Sequence, residues 1–459
     1  MTINNNDHIV IIGAGILGTT LAFAISSISS SKVTIIEQED KPGLHTSSRN
    51  TGKVHAPFIY NPEKKKIWAK AALYGYDFWK KYCHSNDLLF VEDGVMEVAI
   101  DTQSEKTLLM HFEWGLKNGL SDSEIKILNE REVSRIEPNL KCQAAILCNK
   151  DASVNYGRIT QTLAEQISNN NKLVKIVTCS KVTRIKNNAP SSRSIIVEYI
   201  DSSQRTKKEI DCNFLINASG SNSINILNSL HLENPYQDLF FRGEYWIAPP
   251  KYDSLTSHSI YSVPQFQQFP FLDPHWIIRA SGTREIGPNA CPVFTPYGYN
   301  NFDNARELLP KIYRLMTKKG HRMHKTLLRK ELLDLISKEA FSSISKRYMI
   351  NRVKRFLPSI DPKEFRIRGT AGIRSVLIDK DGCFVPNPIF IMRDNILHIL
   401  NYNSPGATGA FPISYAIAFK LLENGILKDC RDTMFGRSAT PFDDKLLTTC
   451  RDEIDIDFV

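Results

Sequence analysis

The run His8-Ile-Val-Ile-Ile12 leads into Gly13-Ala-Gly15-Ile-Leu-Gly18, after which Leu21, Ala22, Ala24 and Ile25 recur at helical spacing. That order predicts a short buried strand, a tight glycine turn and an apolar helix. Lys32 to Ile36 forms a second strand ending in Glu37. Leu173 to Ile185 and Ser194 to Ile200 alternate as strands joined by a polar hairpin, and Phe214-Leu-Ile-Asn-Ala-Ser-Gly220 is an apolar strand closing on small residues. Ile396 to Leu400 repeats that pattern, followed by a turn over 403–409 and a helix through Ile413, Ala416, Ile417, Phe419 and Leu421.

Between these pieces the pattern changes. Phe90 to Asp101, Phe240 to Pro249, Ser259 to Val263 and Trp276 to Ala280 alternate as strands of an antiparallel sheet, and Ile312 to Phe356 reads as helical. The fold class expected is α/β: a Rossmann-like, two-part dinucleotide domain with a second, α+β antiparallel-sheet domain. The first is expected to be discontinuous, over 1–86, 150–224 and 364–430; the second takes 87–149 and 225–363, leaving 431–459 as a tail.

The first glycine turn carries chemistry. Gly13 permits the turn, Gly15 lets backbone approach a pyrophosphate, and Gly18 lets helix and strand pack closely. Ile16 and Leu17 open the helix, whose amino terminus offers N–H groups and a positive dipole to that diphosphate. Glu37 is placed to accept hydrogen bonds from a ribose diol and would repel a 2′-phosphate, which disfavours NADP. The later returning strands point to FAD rather than NAD: Ala218, Ser219 and Gly220 would meet the cofactor, Val182 would reach the adenine, and a third turn containing Pro405, Gly406, Ala407 and Thr408 would face the flavin.

Composition narrows the class. A 459-residue chain with 42% hydrophobic and 23% charged residues is long enough for a large core without staples, and unlike a disordered or collagenous chain. Its nine cysteines are scattered, with no C-x-x-C pair and no Cys/His cluster at metal-ligand spacing, so reduced thiols and no metal are expected. Met1 to Asp7 lacks the basic character of a signal or transit peptide, and the apolar stretch from His8 to Ile28 reads as strand, turn and helix rather than a membrane span. A cytoplasmic protein is expected. The net charge of +9 is concentrated between Lys311 and Arg355, where 14 Lys/Arg face only Glu331, Asp334 and Glu339. An anionic partner follows, with peripheral attachment to the inner face of a membrane as the favoured form and a solvated basic face as the alternative.

The nucleotide motif, Asn217-Ala-Ser-Gly220 and Gly372-Ile-Arg374 with Asp381-Gly382 together resemble the D-amino-acid oxidase superfamily of FAD oxidoreductases. Within it, four stretches are most similar to L-2-hydroxyglutarate dehydrogenases and oxidases. These are His45 to His55, Phe241 to Trp246, Ile260 to Asn289 in its Tyr-Ser-Val-Pro, Phe-Pro-Phe-Leu and His275-to-Gly287-Pro-Asn parts, and Ser404 to Thr408. The resemblance spans about residues 8–425. It departs at Pro57, where the family has Gly, at Lys53, where it has an aliphatic residue, and at Gly406 to Ala410.

The resemblance implies FAD, a small dicarboxylate substrate, and a quinone or oxygen as electron acceptor. It places Gln38, His45, Ser48, Arg49 and Asn50 beside the cofactor, with His45 a candidate for covalent attachment and Lys53 either near the flavin or exposed. Arg374, in the Gly-x-Arg segment, is expected to clamp a substrate carboxylate bidentately. Arg279 and Tyr261 are candidates for a second carboxylate, and His55 and His275 for the base, because imidazole titrates near neutral pH. The alternative is an amine or amino-acid oxidase using the same Arg374. A nucleic-acid module is disfavoured, since the basic stretch lacks interleaved aromatics and any helix-turn-helix signature.

Overall fold

The computed structural model describes residues 8–187, 194–232, 234–265, 269–271, 273–299, 309, 313, 329–428 and 440–459. The strand His8–Ile12 pairs in parallel with Lys32–Ile36 on one side and Phe214–Asn217 on the other. Val174–Val177 extends the sheet beyond Lys32–Ile36, and Ile396–Leu400 followed by antiparallel Ile389–Arg393 extends it the other way, giving a six-stranded sheet. The central strands are apolar throughout because helices cover one face and a three-stranded sheet covers the other. Ile16–Ile28, Tyr156–Asn170, Lys66–Ser85 and Ala410–Glu423 build the main core on the helical side, where Phe23, Phe78, Trp79 and Phe411 interlock. On the other face Val10, Ile12 and Leu215 meet Ile185, Ile195 and Val197 of the three-stranded sheet.

The second body is an eight-stranded sheet running from Ile367–Arg368 through Trp246–Ile247, Arg284–Gly287, His275–Ile278, Ser259–Ser262, Val95–Ala99 and Ala144–Cys148 to Ile125–Asn129. Its core packs Met96, Val98, Ile260, Trp276 and Ile286 against Met349, Ile350 and Val353 of the helix Lys346–Lys354. The chain thus forms a two-body α/β fold.

Several local expectations are corrected. Phe90 to Asp101 is two strands, Phe90–Val91 and Val95–Ala99, in different sheets, because Gly94 at φ +60° turns the chain between them. Gly372–Ile378, expected within the nucleotide part, pairs antiparallel with Gln237–Gly243 of the second. The 431–459 tail is not a loose appendage over its described part. Phe442 enters the main core beside Phe78 and Phe411, Asp444–Glu453 is helical, and Val459 bonds the edge strand Ile389–Arg393. Its acids conceal an apolar face of Leu447, Cys450 and Ile454 at helical spacing, with Ile456 buried just beyond the helix. In the basic segment Leu332 and Leu335 point inward as expected; Ile312, Leu315, Leu327 and Leu328 lie outside the described residues. So do Cys430 and Leu272.

Candidate active site between the two sheets

A continuous cavity runs from the first glycine turn to the second sheet. At one end a Cβ on Gly18 would stand 1.9 Å from the Gly13 carbonyl oxygen, so the helix can approach the strand only with glycine there. Gly13 itself has φ +103°, a left-handed region that side chains resist. These two glycines shape the turn, while Gly15, Ile16 and Leu17 line the cavity. Glu37, at the end of the second strand, is buried and accepts the Ala14 N–H at 2.7 Å and the Glu39 N–H at 3.0 Å. Burial pushes its carboxyl up from the ordinary value, and the two N–H donors oppose that.

The loop from His45 to His55 forms one wall, with Arg49, Asn50, Lys53 and His55 facing the cavity. Ser47, which sequence reasoning passed over, accepts the Ile16 N–H at 2.9 Å and ties this loop to the helix start. Ala218 and Gly220 close the adjoining side, and Pro405, Gly406, Ala407 and Thr408 the opposite end. Trp79 Nε1 holds that last turn by donating to the carbonyls of Ala407 and Thr408 at 3.0 and 2.9 Å. Thr408 Oγ1 accepts the His55 N–H at 3.0 Å, which joins the two walls.

The far end is cationic and aromatic. Arg374, carried by Gly372–Ile378, is half-buried in the cavity wall and donates to the Pro270 carbonyl at 2.5 Å. Among the described residues no carboxylate pairs with it; the ionisable groups that act on it are the phenols of Tyr245 and Tyr60. Burial works against its charge. His55 and His275 are both held down to about 3, mainly by burial. Lys53 and Arg374 lower His55 further, whereas Asp273 partly offsets the fall at His275. Both imidazoles are therefore neutral proton acceptors at neutral pH. Tyr261 lies between them, its ring 4.2 Å from His275 and 6.3 Å from His55.

Other expected site residues stand apart from the cavity. Arg279 is engaged by Glu285 and the Asn50 carbonyl and stacks 5.0 Å from the Tyr245 ring, so it is a structural ion pair rather than a free cation. His45 has both nitrogens occupied, by Tyr299 Oη at 3.0 Å and Glu39 at 2.9 Å. Gln38 donates to Tyr297 Oη at 2.8 Å. Ser48 bonds back to the Leu44 carbonyl, and Ser219 to Asn217 Oδ1. Val182 packs against the three-stranded sheet's core. Lys53 is neither exposed nor free. Its Nζ is buried, 2.9 Å from Asp93, 3.2 Å from Asp151 and 3.0 Å from Ser153 Oγ. Burial pushes both aspartates up, and Lys53 pulls them back. Sequence reasoning missed Tyr60, Tyr245, Tyr156 and Tyr402, which also line the site; Tyr60, Tyr156 and Tyr402 stand outside any motif and carry no sequence signal of their own, whereas Tyr245 lies in the Phe241-to-Trp246 stretch, a signal that could have found it.

A long cavity that starts at a glycine-turn helix terminus and ends at a half-buried cation and two neutral imidazoles has the chemistry to take a dinucleotide at one end and an anionic group at the other. The family model for FAD dependent oxidoreductases matches residues 8–419, and the chain belongs to that family. It is an FAD-dependent oxidoreductase.

Curated proteins similar to the chain include the following. The mitochondrial L-2-hydroxyglutarate dehydrogenase of Mus musculus is 26% identical over 422 residues, 89% of this chain and 86% of that protein. The L-2-hydroxyglutarate dehydrogenase of Indibacter alkaliphilus is 28% identical over 423 residues, 88% of this chain and 96% of that protein. Among solved structures, the L-alpha-glycerophosphate oxidase of Mycoplasma pneumoniae with FAD bound superposes with a TM-score of 0.70 at 18% identity, covering 93% of this chain and 96% of that one. That likeness establishes the shared fold.

Proposed function

We propose that the chain oxidises L-2-hydroxyglutarate to 2-oxoglutarate. The observation that carries the reading is Arg374, a half-buried guanidinium on the cavity wall with no carboxylate partner among the described residues. Leaving a half-buried charge uncompensated is costly, and a substrate carboxylate on this planar donor relieves the cost while fixing orientation. The names of the curated relatives support the same substrate.

Held along the walls that Gly15, Ala218, Gly220 and Thr408 provide, FAD when bound would supply a two-electron acceptor for the substrate's C–H hydride. The protein's part is to bind, orient and deprotonate. Arg374 holds the carboxylate next to the hydroxyl, and Tyr60 and Tyr245 flank it. His55 takes the hydroxyl proton: its ring is open to the cavity, whereas His275 Nδ1 is sealed from solvent. His275 and Tyr261 wall the reacting carbon and exclude water.

Anaerobic addition of L-2-hydroxyglutarate to the purified protein tests this by the visible flavin spectrum. Bleaching is the expected result; bleaching by glycine, sarcosine or a D-amino acid in its place would make the chain an amine oxidase.

We also propose that the basic segment attaches the protein to an anionic bilayer. Support comes from Lys330–Ile344 and Lys346–Lys354, where exposed Phe341, Ile344 and Tyr348 lie among exposed Lys330, Arg347 and Arg355. Among the described residues no helix is long and apolar enough to cross a membrane.

A further inference from the structure

Arg374 is not the only cation near its end of the cavity without a carboxylate partner among the described residues. Lys65 Nζ lies 6.0 Å from the centre of the Tyr60 ring, and Tyr60 is a cavity residue whose phenol acts on Arg374. Lys65 is partly buried and forms no ion pair with a carboxylate among the described residues; the one charged group acting on it is Arg374, of like sign. Both burial and that repulsion work against its ammonium form.

The backbone that carries Lys65 is firmly placed. Asn61 Oδ1 accepts the N–H groups of Glu63 and Lys64 at 3.0 and 2.9 Å, and the Lys65 N–H donates to the Asn61 carbonyl at 2.9 Å. Asn387 Nδ2 fixes the Lys64 carbonyl at 2.9 Å. The helix Lys66–Ser85 starts directly after it, with no acidic residue in its first turn. Two like charges are thus held near one tyrosine, and among the described residues no carboxylate pairs with either. A ligand with two negative groups would satisfy both.

We propose that Lys65 is the specificity residue for the distal carboxylate: Arg374 takes the carboxylate beside the hydroxyl, Lys65 takes the one at the far end of the carbon chain, and the pair selects dicarboxylates over monocarboxylates. This rests on the 2-hydroxy-acid reading above. A structural role for Lys65, covering the Tyr60 ring, predicts no such selectivity.

The test is titration of the holoenzyme with glutarate and with butyrate, two unreactive acids that differ in the second carboxylate, read by perturbation of the flavin absorbance. In Lys65→Met the glutarate affinity should fall roughly 10- to 100-fold, while butyrate affinity stays as in the parent. Lys65→Arg should retain glutarate binding. Equal weakening of both acids in Lys65→Met, or no weakening of either, overturns the assignment. Oxidation of L-2-hydroxyglutarate by the parent protein is measured alongside. Oxidation together with unchanged glutarate binding in Lys65→Met removes Lys65 and keeps the reaction; selective loss of glutarate binding without any oxidation keeps the dicarboxylate site and removes the reaction.

Discussion

Tyr261 lies with its ring 4.2 Å from that of His275, and among the described residues neither the phenol oxygen nor His275 Nδ1 has a hydrogen-bond partner. Both groups are buried, so each leaves a hydrogen-bonding need unmet, at a cost of about 1–3 kcal/mol apiece. Such a cost is tolerated where a ligand restores the bonds. Tyr261→Phe should therefore leave the folded protein as stable as the parent or more so, while raising KM for the hydroxy acid. An unfolding midpoint lowered in that variant would show the hydroxyl to be bonded in the resting protein.

Arg374→Lys keeps the charge but loses the planar fork. Substrate binding should weaken by about 1.5–3 kcal/mol, roughly 10- to 100-fold in Kd. Stopped-flow reduction at varied substrate concentration measures it, and unchanged kinetics would remove Arg374 from the site.

Gly18→Val places a side chain where a Cβ alone would come within 1.9 Å of the Gly13 carbonyl oxygen. The helix must then move off the strand, and the protein should purify without FAD. Full flavin stoichiometry in this variant would contradict the role of the turn.

The histidines set an acid limit. Both are held at about 3, below the ordinary 6.5, so folding favours their neutral forms. The stability they contribute is complete above pH 6.5 and is lost as pH falls from there toward 3, at up to about 1.4 kcal/mol per pH unit for each. Urea midpoints measured between pH 7.5 and 5 should fall steadily, and His275→Gln should flatten the slope; a midpoint independent of pH would refute the burial of both rings. The rate of flavin reduction should show no titration near pH 6.5.

Lys53→Met would leave Asp93 and Asp151 facing each other in the interior. Removing one partner of a buried ion pair costs about 3–5 kcal/mol. A large drop in thermal midpoint is expected, partly recovered when Asp93→Asn and Asp151→Asn are added, as calorimetry would show.

Sedimentation with anionic liposomes should pellet the protein at low salt and release it at high salt, because screening shortens the reach of the basic segment's field. Equal pelleting with neutral lipid would mean that charge is not what attaches it.

The nucleotide half was legible from sequence because its strands are short apolar runs bounded by glycine turns: His8–Ile12, Phe214–Asn217 and Ile396–Leu400 appear where the pattern places them. His55, Tyr261, His275 and Arg374 do meet in one cavity. Arg279 misled because an arginine on a cavity-side strand carries no sequence mark of its partner, and Glu285 six residues later takes it. Lys53 misled in the opposite direction. Its partners are distant in sequence, at Asp93 and Asp151, so the buried triad exists only after folding. Lys65 went unnoticed in the basic run Lys64-Lys65-Lys66, where the pattern suggests nothing but solvent.

The order of strands across the six-stranded sheet also fixes when this enzyme can be assembled. Phe214–Asn217 lies between His8–Ile12 and Ile396–Leu400, so the middle of the sheet joins the two ends of the polypeptide. The turn that completes the cavity, Ser404 to Thr408, is synthesised long after the first glycine turn at Gly13 to Gly18. During synthesis the amino-terminal glycine turn must wait, with the apolar edge of Phe214–Asn217 uncovered, until the last strand arrives. FAD capture must accordingly wait for that turn, and in the interval before it the uncovered apolar strand edge is exposed to aggregation.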